Sequence, residues 1–179
     1  MLKEAGLDRI NHNLNSSRSY YHNICTTHTF DQRVNNIKML QRLGFEICSG
    51  GIIGMGESHA DVVDMLLELR EIAPQALPIN FLLPIPGTPL EHTDISGLTT
   101  EYCLKVLCLA RLMVPQTDLR CAAGREVYFK GREGDLLRVV DSIFASGYLT
   151  AGGQGIKDTI QVIENAGYTY EIESDDREE

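Results

Sequence analysis

Four apolar runs each carry a residue that a buried strand would not choose: Asn13 in Ile10-Asn11-His12-Asn13-Leu14, Cys48 in Phe45-Glu46-Ile47-Cys48, Asn80 in Pro78-Ile79-Asn80-Phe81-Leu82-Leu83, and Arg120 in Asp118-Leu119-Arg120-Cys121-Ala122. Amides supply directional donors and acceptors without the desolvation cost of a charge. Asn11 and Asn13 share one strand face because side chains alternate with period two, so they either serve a ligand or bind turn backbone. Asn80, in an otherwise apolar strand, must find a partner or cost stability. Cys48 alone reads as a small core residue; as a metal ligand it would need partners, and none lie nearby in sequence. Arg120, if it shares the inward face with Ala122, buries a guanidinium that demands an anion, a ligand or an inward Asp or Glu. On that parity Cys121 faces the helix layer and is structural.

An amphipathic helix pattern separates each pair of runs, which is the rhythm of repeated βα units and a parallel sheet. In such folds the chemistry lies at the carboxyl ends of several strands, so Asn13, Cys48, Asn80 and Arg120 should share one mouth. Thr29-Phe30-Asp31-Gln32 and Ser58-His59-Ala60-Asp61 read as capping boxes. The helix opened by Thr29 buries Val34, Ile37, Leu40 and Leu43 and stops at Gly44; the one after Ser58 carries Val62, Met65, Leu66 and Leu69. Thr99 or Thr100 caps a third through Leu104, Leu107, Leu112 and Met113 to Pro115. Asp135 to Phe144 and Lys157 to Ala166 are expected as two further helices, joined by glycine-rich Thr150 to Gly155. Leu2 to Gly6 reads as the last turn of a helix with its glycine cap, so Met1 is expected to enter the middle of a βα unit. A closed eightfold barrel needs about 250 residues. Four units make half of one, with two raw strand edges.

The chain has 179 residues, a net charge of −9 and 43% hydrophobic residues, ordinary for a globular protein that buries one core. The acidic balance argues against nucleic acid or an anionic membrane as partner. No apolar stretch is long enough to span a bilayer and no signal peptide is evident, so a cytoplasmic protein with reduced thiols is expected. The five cysteines are scattered and no CxxC or Cys/His cluster exists. The five histidines show no metal-binding spacing; His12 alternates away from Asn11 and Asn13, and His22, His28, His59 and His92 read as loop or helix-start residues. Gly50 to Glu57 lets backbone approach a ligand closely but fits neither the dinucleotide fingerprint nor a P-loop.

Taken in order, Asn11-His12-Asn13-Leu14, Cys48-Ser49-Gly50-Gly51-Ile52, Pro78-Ile79-Asn80, Pro84-Ile85-Pro86-Gly87-Thr88-Pro89-Leu90, Ala122-Ala123-Gly124-Arg125-Glu126 and Ser142-Ile143-Phe144 resemble the biotin synthases, from Leu2 to about Tyr168. Gly50-x-Ile52-x-Gly54-x-x-Glu57 resembles the strand by which radical S-adenosylmethionine enzymes contact adenine. The resemblance implies the second half of a (β/α)8 TIM-type barrel: residues 1–125 the half-barrel, 126–170 a C-terminal biotin- and thiamin-synthesis-associated helical segment, 171–179 a disordered acidic tail.

It also implies a homodimeric enzyme that inserts sulfur into dethiobiotin. A 4Fe-4S cluster would split S-adenosylmethionine to a radical, and a 2Fe-2S cluster would give up the sulfur. By resemblance, Cys48 and Arg120 are 2Fe-2S ligands, which would account for a buried arginine beside no evident carboxylate. Asn11, Asn13, Asn15, Arg33, Gly50 and Ile52 hold S-adenosylmethionine, and Asn13, Asn80 and Thr150 contact dethiobiotin. Asn15 stands where many relatives carry an acid near the cofactor ribose. The family's CxxxCxxC loop and two further cysteine ligands are absent from this sequence. Cys25, Cys103 and Cys108 do not replace them, being placed in a loop and mid-helix. The chain alone is therefore expected to be inactive, and its partners are expected to be the absent N-terminal half or a second copy, a reductant and iron-sulfur assembly proteins. The competing readings are another radical enzyme of the thiazole or hydrogenase-maturation kind, and a non-catalytic half-barrel module.

Overall fold

The computed structural model describes residues 2–144 and 154–171. In chain order the elements are β1 (Arg9–Asn11), α1 (Tyr21–Ile24), α2 (Phe30–Arg42), β2 (Glu46–Cys48), β3 (Gly51–Ile53), α3 (His59–Ile72), β4 (Ala76–Phe81), α4 (Thr100–Met113), β5 (Asp118–Cys121), α5 (Arg125–Tyr128), α6 (Glu133–Leu137), β6 (Ser142–Ile143) and α7 (Ile156–Asn165). The strands form one parallel sheet in the order β1-β2-β4-β5-β6, with β3 also paired to β4. This is the expected α/β architecture of successive βα units.

The main helices start where the local chemistry dictates. Thr29 and Ser58 each accept a hydrogen bond from the backbone N–H three residues on, and Gln32 and Asp61 answer at the cap's own N–H, closing both capping boxes. Thr99 caps α4 by accepting from Tyr102 N–H. α2 turns off at Gly44, whose φ of 81° is left-handed. Leu2 to Leu7 closes as a helix-terminating turn: Leu7 N–H donates to Leu2 O and Gly6 N–H to Lys3 O, each at 3.1 Å.

The core lies between the sheet and its helices. Ile47, Ile53, Leu77, Ile79, Phe81, Leu119 and Cys121 meet Ile37 from α2, Met65, Leu66 and Leu69 from α3, and Leu107 and Ala110 from α4. Leu40 is only partly buried and Leu43 is exposed, so the α2 stripe is narrower than expected. Cys121 is fully buried among these residues, as its parity required.

Gly51–Ile53, in the stretch that resembles an adenine-contacting strand, is a strand that continues the line of β2 and pairs with Ile79, Asn80 and Phe81. Its glycines answer to crowding: a Cβ at Gly50 would sit 1.8 Å from the Pro78 carbonyl oxygen, and one at Gly51 2.2 Å from the Met65 sulfur. Asp135 to Phe144 is not one helix. α6 stops at Leu137, and Ser142–Ile143 joins the sheet beside Arg120 and Cys121. The backbone there is captured by β5: Asp141 N–H donates to Leu119 O at 2.9 Å, and the Asp141 carboxylate accepts from Leu119 N–H at 2.8 Å.

Candidate functional site at the strand ends

The chain after β1 is bonded to its neighbour through amides. Asn11 Nδ2 donates to Cys48 Sγ at 3.3 Å. Asn13 Oδ1 accepts from Gly50 N–H at 3.1 Å, so part of its capacity goes to backbone. Asn15 takes a left-handed φ of 70°, a conformation asparagine tolerates better than most side chains, and pairs across to Gly51. Its N–H donates to Gly50 O at 3.1 Å and its carbonyl accepts from Ile52 N–H at 2.9 Å. Asn11, Asn13, Asn15, Cys48, Gly50 and Ile52 thus belong to one contiguous patch.

Asn80 finds the partner its strand demanded, on both sides. Nδ2 donates to Gly51 O at 3.2 Å and Oδ1 accepts from Ala123 N–H at 3.1 Å. The amide ties β3 to the end of β5. Farther along, Gly54 and Gly56 make a turn at left-handed φ, closed by the Glu57 carboxylate, which accepts from Gly54 N–H at 2.6 Å and Met55 N–H at 2.8 Å.

Arg120 is 18% exposed and meets an inward carboxylate, one of the partners expected for it: that of Asp118. Asp118 Oδ2 accepts from its Nε at 2.7 Å and from Nη2 at 2.5 Å, while Ser142 Oγ donates to the other carboxylate oxygen at 2.9 Å. The signal was present: Asp118 lies two residues before Arg120, hence on the same strand face. Burial pushes the Cys48 thiol upward; the Asn11 hydrogen bond and the charges of Arg120 and Arg9 oppose that, and Asp118 adds to it.

Among the described residues Arg33, on α2, meets no carboxylate. Nη1 donates to Asn13 O at 2.9 Å, Nε to the Tyr21 hydroxyl at 2.7 Å, and Nη2 meets His28 Nε2 at 2.7 Å. Tyr21 and His28 are themselves 2.9 Å apart, O to Nε2. Cys25 Sγ lies 3.4 Å from His28 Nδ1. The hydroxyl of Thr27, first among several hydrogen bonds, lowers the half-buried Cys25 thiol to about 7. His12 is also lowered, by burial first and then by the charge of Arg33; its Nε2 is buried with no partner among the described residues. Sequence reading placed His28 as a loop residue and gave Tyr21 no role. Only the fold brings them to Arg33.

Thr150 lies outside the described residues. Arg125, fully buried, donates to Phe144 O at 3.3 Å, Gln154 Oε1 at 3.1 Å and Thr159 Oγ1 at 3.4 Å and pairs with Glu126. Among the described residues no group of three or more His, Cys, Asp or Glu could hold a metal ion. Cys48 and Arg120 would therefore supply only part of the donor set of an iron-sulfur cluster. Among the described residues no helix is long and apolar enough to cross a membrane.

Residues 78–169 match the family model of the Biotin and Thiamin Synthesis associated domain, and residues 1–69 that of the Radical SAM superfamily. The chain is 45% identical over 174 residues to the biotin synthase of Salinibacter ruber, covering 97% of this chain and 48% of that protein. It is 50% identical over 153 residues to the biotin synthase of Thermus thermophilus, covering 85% of this chain and 46% of that one. The chain thus spans about half the length of the curated relatives it matches. Among solved structures, methylornithine synthase superposes with a TM-score of 0.77 at 20% identity, covering 95% of this chain and 54% of that one. The FeFe-hydrogenase maturase HydG from Carboxydothermus hydrogenoformans superposes at 0.75 and 13% identity, covering 93% and 43%. At those identities the two structures speak for the fold alone. The strand-end residues named above fall in the segments that these matches span, and the chain belongs to the family of the Biotin and Thiamin Synthesis associated domain.

Proposed function

We propose that this chain supplies one half of a biotin synthase active site, acting in sulfur insertion into dethiobiotin. The observation that supports the reading most is the contact of Asn11 with Cys48 at the carboxyl ends of adjacent strands, in a sheet where Arg120 lies on β5 opposite Pro78 and Asn80 two residues farther along β4. When bound, the 4Fe-4S cluster with S-adenosylmethionine would supply a 5′-deoxyadenosyl radical and the 2Fe-2S cluster the inserted sulfur.

The chain's own residues would bind and orient. Asn11, Asn13, Asn15 and Arg33 would hold S-adenosylmethionine, with the Gly50 and Ile52 backbone beside its adenine. Their donors and acceptors lie on backbone already fixed by sheet and bridge, so little order would be lost on binding. Asn13, Asn80 and Thr150 would contact dethiobiotin through neutral hydrogen bonds. Cys48 and Arg120 would be two of the 2Fe-2S donors, the remainder coming from residues outside this chain. A reductant, iron-sulfur assembly proteins and a homodimeric cytoplasmic enzyme belong to the same reading.

Co-expression tests it. In a biotin-requiring bacterium, this chain and a segment carrying the CxxxCxxC loop with the complementary half-barrel should together restore growth without biotin. Either alone should not. Cys48→Ala or Arg120→Ala should abolish the rescue; growth that survives both substitutions contradicts the assignment.

A further inference from the structure

The manner in which Arg33 is held has a chemical meaning beyond its assignment. Arginine only donates, so the nitrogen facing it on His28 must accept. Nε2 of His28, 2.7 Å from Arg33 Nη2, is therefore unprotonated, and the ring's proton sits on Nδ1, facing Thr27 Oγ1 at 3.0 Å. The Tyr21 oxygen accepts from Arg33 Nε, and its own proton faces His28 Nε2 at 2.9 Å, where it shares that nitrogen's single lone pair with the Arg33 donor. Burial is the leading reason the Tyr21 hydroxyl is raised above its ordinary value, so it keeps that proton. The three side chains form a closed triangle, and the guanidinium also lies over the Tyr21 ring, 5.9 Å from its centroid.

Every group in this brace is neutral: a backbone carbonyl, a phenol and an imidazole. Three of the five guanidinium N–H groups are spent on it, one on each nitrogen. One N–H remains on each terminal nitrogen. We infer that Tyr21 and His28 are positioning residues that lock the plane of Arg33 for its contact with S-adenosylmethionine. The inference rests on the proposal that Arg33 contacts that molecule.

Two readouts on the 179-residue chain separate the inference from the proposal beneath it. The first is calorimetric titration with S-adenosylmethionine of the wild type, Arg33→Ala, His28→Ala, His28→Gln and Tyr21→Phe. His28→Ala should bind about tenfold more weakly, the loss expected for one hydrogen bond to a charged group. His28→Gln, whose amide oxygen can still accept, should recover most of the affinity; a purely structural role would not be rescued in this way. The second is the exchange rate of the Arg33 Nε–H with water by 15N NMR, slow in the wild type and fast in Tyr21→Phe.

Unchanged Nε–H exchange in Tyr21→Phe overturns the inference. So does wild-type affinity in both His28 variants while Arg33→Ala binds weakly. If Arg33→Ala binds as well as the wild type, or if the wild type does not bind at all, the assignment of Arg33 fails. In either case protected Nε–H exchange that Tyr21→Phe abolishes still establishes the brace.

Discussion

Arg33 and Arg120 stand at two ends of the same sheet and are held in opposite ways. Arg120 meets a carboxylate through two nitrogens, and a serine fixes the far side of that carboxylate. Arg33 meets three neutral acceptors. Both arrangements fix a guanidinium plane, but only the first cancels its charge. A compensated guanidinium at 18% exposure is a directional group; an uncompensated one is a site for an anion.

Breaking each brace should show the difference in stability first. Asp118→Ala leaves a mostly buried cation without its carboxylate and should cost about 3 kcal/mol in urea unfolding, the penalty of half a buried pair. Asp118→Asn, which keeps an acceptor and loses the charge, should cost less. Asn80 stands between the two ends; Asn80→Ala strands the Gly51 carbonyl and the Ala123 N–H and should cost about 2 kcal/mol by the same measurement. Arg33→Ala strands only neutral groups that water or one another can satisfy, and should cost about 1 kcal/mol. A loss at Arg33 equal to that at Asp118 would erase the contrast.

The cysteine beside each end sharpens it further. Cys25, next to His28, titrates at about 7 because the Thr27 hydroxyl bonds the thiolate most strongly. Cys48 is raised by burial, and Cys103 is pushed up to about 12 by the same cause. The thiolate is the reacting species, so a lowered value means reaction at lower pH. Iodoacetamide at neutral pH should label Cys25 first, with a rate that climbs through pH about 7 and then levels off. Peptide mass mapping over time gives the order, and Thr27→Ala should slow Cys25 alone.

Much of the fold was legible because its signals are local. The capping boxes at Thr29 and Ser58, the Thr99 cap and the left-handed Gly44 are written within a turn of sequence, and alternation placed Leu119 and Cys121 opposite Arg120. β3 was legible only through the resemblance of Gly50-x-Ile52-x-Gly54-x-x-Glu57. By local pattern Gly50 and Gly51 look like loop residues until the Pro78 carbonyl and the Met65 sulfur press against them from elsewhere in the chain. β6 is two residues long and owes its place to β5, which no pattern within 142–143 announces. In the site, Asn80 declared its need for partners by its apolar surroundings. Asp118 was readable by period two and was overlooked as the partner of Arg120. His28 and Tyr21 could not be read at all, because neither their spacing nor their neighbours mark them until α2 brings Arg33 across.

The most direct measurement is calorimetric titration of this chain with S-adenosylmethionine, comparing the wild type with Arg33→Ala and Arg120→Ala. Saturable binding that Arg33→Ala removes and Arg120→Ala largely keeps is the expected result, since only Arg33 offers an uncompensated charge. Binding indifferent to Arg33, or lost equally with Arg120, would contradict the division of roles between the two ends of the sheet.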